Sequence, residues 1–193
     1  KGTKDKSKED QKMIKVLMGD EVAPRKEFIT NNKVKLRPHA KMHKSIDVAN
    51  FQINNGGAHG ICCQKVSEAE VFFRNGIKDI LITNQVTDLL KIDRLTKIDT
   101  KNCNISCCVD NEENIINIQN SAFENNSIIN VYIEYDCGAN RCGLESFKEI
   151  QSLLDLINTM SNIKFEGFQA YNGSITIKAP NLYFNPLLIL GER

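Results

Sequence analysis

From residue 33 onward, short β-branched apolar runs alternate strictly with helix-patterned stretches, and this alternation constrains the fold more than any other feature. Val34–Leu36, Gly60–Cys63, Asp79–Thr83, Asn104–Val109, Ile128–Tyr135 and Lys164–Ala170 read as buried strands. Ile46–Asn54, Ser67–Arg74, Thr87–Lys97, Glu112–Phe123 and Phe147–Met160 read as the helices between them, with Ser67 and Glu70 at the spacing of a capping box. Parallel strands need crossovers, and helices are the usual ones. The fold class predicted is therefore α/β, either a doubly wound sheet or an incomplete (β/α)8 TIM-type barrel of about six parallel strands. A whole barrel takes about 250 residues, more than the 193 here.

Other features bound the reading. The net charge of +1 gives no bulk pull toward nucleic acid or a membrane surface. No run approaches the roughly 18 apolar residues of a membrane span. The polar start KGTKDKSKEDQK has no apolar core of a secretory signal. A chain beginning with Lys1 is expected to be a fragment or processed piece. Seven cysteines, an odd number, point to a reducing cytoplasm. Cys62-Cys63 and Cys107-Cys108 are adjacent on strands, so each pair points to opposite faces, which suits core thiols better than a zinc knuckle. Residues 1–12 read as a solvated charge run. Residues 13–32 read as a short helix-turn-helix tail, and 175–193 receive no assignment.

In parallel α/β folds the working residues collect where strands end. The predicted ends are all polar: Arg37-Pro-His-Ala-Lys-Met-His-Lys44, Gln64-Lys65, Thr83-Asn84, Asp110-Asn111, Glu134 to Gly143, and Gln169 to Gly173. His59 reads as a turn residue. Lys41, between two histidines, is the candidate nucleophile. An ammonium in a closed mouth would lose hydration, which lowers its pKa and frees the amine. The reading requires Lys41 to face a pocket ringed by strand ends.

LRPHAKMHKS, GICCQKVSEAE, DILITN, CCVDN, GANRCG and FEGFQAY, in this order, resemble the D-threonine aldolase and D-serine dehydratase family, which has the alanine-racemase-like fold of pyridoxal 5'-phosphate (PLP) enzymes. The resemblance runs from about residue 33 to about 174. It implies that Lys41 is the Schiff-base lysine, that Arg141 sits near the phenolic oxygen of the cofactor, and that Tyr171 lies against its ring. Gln64, Asn84 and Asp110 have no assigned role. It implies a small D-amino acid as substrate and a PLP-dependent lyase that cleaves D-3-hydroxy amino acids to glycine and an aldehyde, with dehydration or racemisation as alternatives. A divalent metal belongs to the complete family enzyme, its ligands not present in this chain, and a homodimer of that enzyme is compatible with the resemblance. The family's usual His after the matching Tyr is Asn172 here, and its Gly-rich phosphate loop has no counterpart after Gly173. This chain alone is expected to bind PLP weakly and to show little activity.

A second resemblance lies in VLMGDEVAPRKEFITNN, residues 16–32, which is similar to the C-terminal tail of the DNA gyrase B subunit. It implies domains of 1–32 (gyrase-like tail), 33–174 (partial PLP barrel) and 175–193 (unassigned). It also raises two further readings, a gyrase-tail interaction module and a non-functional fusion.

Overall fold

The computed structural model describes Glu27, residues 29–173 and the backbone of Leu187–Gly191; residues 1–26, most of the expected tail, lie outside the described residues. Glu27 and residues 29–32 have helical backbone. Then come α1 (Ile46–Asn54), β1 (Ile61–Cys63), α2 (Val66–Arg74), β2 (Asp79–Gln85), α3 (Leu89–Thr96), β3 (Asn104–Val109), α4 (Glu112–Glu124), β4 (Ile129–Tyr135), α5 (Phe147–Asn158), β5 (Ile163–Tyr171) and β6 (Leu187–Gly191). The strands are hydrogen-bonded in chain order, five of them parallel. This is the α/β alternation expected. β6 is antiparallel to β5 and lies in the segment for which the sequence suggested no element. No helix among the described residues is long and apolar enough to cross a membrane.

The first expected strand differs. Residues 34–38 are irregular, and only His39 forms a bridge, parallel to Cys62. The backbone still runs beside β1, with Cys62 N–H donating to Pro38 O at 2.8 Å and His59 N–H to Leu36 O at 2.8 Å. Pro38 has no N–H to return, so a full ladder cannot form there. The first expected capping box also fails. α2 starts one residue early, at Val66, and its N-cap is Lys65 with no side-chain cap. Glu68, three residues past that cap, folds back to accept the Gln64 N–H at 2.9 Å. A complete capping box forms instead at Ser146 and Glu149, starting α5.

The chain divides into two compact units at the Leu81–Ile82 peptide. In the first, Ile61, Cys62, Cys63, Ala69 and Ile80 are fully buried. In the second, Ile105, Val109, Val131 and Ile133 are fully buried. Each such aliphatic side chain contributes roughly 1.5–3 kcal/mol. The register pairs Cys108 with Tyr132 and Val109 with Ile133. It pairs Ile133 with Phe168 and Glu134 with Gln169. Paired residues of parallel strands share a face, and neighbours alternate. Val131 and Ile133 therefore hold one face of β4, and Tyr132 and Glu134 the other.

Candidate functional site

In the first unit Lys41 sits in a single 3-10 turn, Ala40–Met42, directly after the His39 bridge. The His39 side chain caps that turn, its Nδ1 accepting the Lys41 N–H at 3.3 Å. The next histidine repeats the device, His43 Nδ1 accepting the Ser45 N–H at 3.0 Å. With Nδ1 an acceptor, the neutral ring carries its proton on Nε2. Lys41 itself is exposed. Lys44, three residues on, pairs with Glu68 at 3.3 Å, and Gln64 is exposed beside the same carboxylate. Arg37 is held against Asp79 by a two-pronged ion pair, and His59 Nε2 lies 3.4 Å from the same carboxylate.

The titration of this turn has a direction. His39 is lowered from 6.5 to about 4, chiefly by burial and then by the Lys41 charge, with Glu68 opposing. His43 is lowered by burial, against hydrogen bonds with Gln52 and Ser45. Burial would raise Glu68, yet the Gln64 N–H and Lys44 hold it below its ordinary value. The unfolded chain takes up a proton near 6.5 that folded His39 refuses until about 4. Stability is thus full above that window and falls as pH drops through it. Glu68 works the same way, losing its stabilisation as it is protonated. We expect a loss on the order of 1–2 kcal/mol for half-buried His39 after screening by solvent. Denaturation midpoints measured between neutral pH and about pH 4 check this, and a His39→Asn variant should flatten the slope. An unchanged slope would contradict it.

The second unit builds a polar cluster at the ends of β2, β4 and β5. Glu134, almost wholly buried, carries two partners, Gln85 Nε2 at 2.6 Å on one oxygen and Arg141 Nη2 at 3.4 Å on the other. The Arg141 guanidinium lies over the Tyr171 ring, 4.5 Å from its centroid. Gln169, fully buried, donates from Nε2 to Thr83 O at 3.3 Å, while its Oε1 has no hydrogen-bond partner among the described residues. The loop that carries Arg141 is stapled at both ends. Asp136 Oδ1 accepts the Gly138 and Ala139 N–H groups at 2.8 Å each, which holds its carboxyl below the usual range. Asp110 Oδ2 accepts the Gly143 N–H at 3.1 Å, and Leu144 N–H donates to Glu134 O at 2.8 Å. Gly143 has φ of 108°, and a Cβ there would lie 2.7 Å from Asp136 N, so only glycine closes the loop.

Arg141 and Tyr171 therefore stand together in the second unit. Asp110 acts as a backbone staple, Asn84 is half-buried, and Asn172 Nδ2 donates to Cys137 O at 3.2 Å. Cys62 and Cys107 are pushed up to about 12 by burial, and Cys142 is raised by burial and by Glu134, so none is a ready thiolate. Sequence reasoning named Glu134 and Gln169 only as polar strand ends. A carboxylate between Ile133 and Tyr135, at the end of an apolar run from Val131, was the signal available.

The two units together define an α/β protein whose parallel strands end in polar, chemistry-bearing residues. The chain belongs to the family of the alanine racemase N-terminal domain, whose model matches residues 23–185. That match starts inside the segment likened to gyrase B, and nothing in the comparisons supports the gyrase likeness. The chain is 42% identical over 139 residues to the 3-hydroxy-D-aspartate aldolase of Paracoccus denitrificans, covering 72% of this chain and 36% of that protein. It is 39% identical over 142 residues to the D-threonine aldolase of an Arthrobacter species, covering 74% of this chain and 37% of that protein. The crystal structure of D-threonine aldolase from Filomicrobium marinum aligns with a TM-score of 0.75 at 34% identity, over 79% of this chain and 41% of that one. This chain thus spans well under half the length of each of these relatives.

Proposed function

We propose that this chain is the cofactor-binding N-terminal part of a PLP-dependent lyase of the D-threonine aldolase type. Such an enzyme breaks the Cα–Cβ bond of a D-3-hydroxy amino acid, releasing an aldehyde and leaving glycine. The observation that carries the reading is the 42% and 39% identity to two aldolases named for D-amino acid substrates.

The residues fit the cofactor in their chemistry. Lys41 offers an exposed primary amine. Arg141 offers a half-exposed guanidinium that is anchored on one side by a buried carboxylate, which suits an anionic ring oxygen. Tyr171 offers an aromatic ring. In this reading Lys41 would supply the amine that holds PLP, Arg141 would serve the phenolic oxygen as a charged donor, and Tyr171 would line the ring. When bound, PLP supplies an electron sink for the pair left at Cα. A divalent metal acting at the substrate hydroxyl is part of the same reading, with no ligand assigned here. Residues 33–174 form the PLP-binding part, residues 1–32 and 175–193 flank it, and the protein works in the cytoplasm.

Incubation of the chain with PLP, borohydride reduction and peptide mapping by mass spectrometry test this. A phosphopyridoxyl group on the peptide carrying Lys41 is expected. D-threonine added before reduction should lower the label, and L-threonine should not. Label scattered over many lysines, or no label, would overturn the proposal.

A further inference from the structure

We infer that Glu134 is a positioning residue that fixes the orientation of Arg141, with Gln85 fixing Glu134 in turn. The inference deepens the proposed function and rests on it only where PLP is the readout.

The Glu134 side chain is 3% exposed and that of Arg141 is 47% exposed. A solvent-accessible arginine ordinarily samples many rotamers, and a surface ion pair hardly restrains it. This pair is not of that kind, because one partner is buried. If Arg141 swung into water, Glu134 would keep a desolvated carboxylate with only the neutral Gln85 amide on it. That penalty draws the guanidinium back. The carboxylate cannot follow Arg141 outward either, because Gln85 Nε2 grips its other oxygen at 2.6 Å. The Tyr171 ring also packs against the guanidinium, whose carbon lies 4.5 Å from the ring centroid. Two contacts from different strands, β4 and β5, thus restrain the guanidinium. The loop staples at Asp136 and Gly143 set where the Arg141 backbone lies, but not where its side chain points. Gln85 contributes because its amide donates to Oε2 and leaves Oε1 for Arg141.

The direct test is NMR of the arginine Nε–Hε groups in the whole chain, with PLP absent. Arg141 Nε–Hε should show ordered-backbone values of the heteronuclear NOE in the parent chain. It should become mobile in Glu134→Gln, a replacement of equal size, and partly mobile in Gln85→Met, which guards against a failure of Glu134→Gln to fold. Arg141 equally ordered in both variants would overturn the inference. So would mobility in the parent chain.

PLP titration followed by absorbance gives the second readout. Glu134→Gln should weaken PLP binding roughly tenfold, and by less than about twofold once Arg141→Met is present, because the effect passes through Arg141. Additive losses would show that Glu134 serves stability alone and sink the inference. If the parent chain takes up no PLP while the NMR pattern holds, the proposed function fails and the positioning role stands.

Discussion

Lys41→Ala is expected to abolish the borohydride-fixed PLP label completely while leaving the denaturation midpoint essentially unchanged. The two halves of this result come from the same observation. Lys41 is exposed on a 3-10 turn whose only buried residue is Ala40. The turn is held by backbone bonds and by the His39 cap, which engages the Lys41 N–H and not the side chain. Alanine keeps that N–H, so the stability change should stay within about 0.5 kcal/mol, the usual range for surface positions. Removing the charge near His39 relieves one cause of its lowered pKa, a small gain at acid pH. Lys44→Ala is the control. Lys44 is tied to Glu68, so that variant should cost a little stability and keep the label. If Lys41→Ala retains the label and Lys44→Ala loses it, the nucleophile has been assigned to the wrong lysine of the pair.

What the sequence made legible was local. The span of α1 was readable to the residue because Ser45 caps it and apolar residues recur through it. The ends of β3, β4 and β5 were readable within a residue or so because runs of β-branched or aromatic residues give way to Asp110, Asp136 and Asn172. The first strand was misread because its residues look right while Pro38 removes the donor a ladder needs. The start of α2 was misread because Ser67 and Glu70 have capping-box spacing, yet Glu68, two residues before Glu70, reaches the Gln64 N–H instead. β6 was missed because an antiparallel partner beyond two prolines carries no local signal. The polar cluster was the hardest to foresee. Gln85 meets Glu134 across 49 residues and Gln169 meets Thr83 across 86, and no periodicity encodes such pairs. The family resemblance carried Arg141 and Tyr171 into view, but it did not reveal what holds Arg141.

Gly60→Ala should be the most destabilising single-methyl change among the described glycines. Gly60 stands immediately before β1, and Asp79 opens β2 beside it. An alanine Cβ at position 60 would lie 2.7 Å from Asp79 Cβ, and closer still to the Asp79 carbonyl and carboxylate oxygens. Neither oxygen can move cheaply. The carbonyl is backbone, and the carboxylate is clamped by Arg37, whose Nη2 donates at 3.0 Å, and faced by His59 at 3.4 Å. Relief requires moving the start of β2 away from β1 or breaking a largely buried ion pair. The expected cost is about 3 kcal/mol, at the upper end of overpacking effects. For a chain of this size that lowers the thermal midpoint by roughly 10 °C. Gly76→Ala makes the comparison sharp. Its φ of 88° strains an alanine, but a Cβ there meets nothing within 4 Å, so only the backbone cost of about 1 kcal/mol applies. Adding Asp79→Ala to Gly60→Ala should recover only part of the loss, because the backbone carbonyl stays in place and Arg37 is left without its carboxylate. Equal midpoints for Gly60→Ala and Gly76→Ala would mean that β1 and β2 separate freely here, and the packing at the base of these strands would need another explanation.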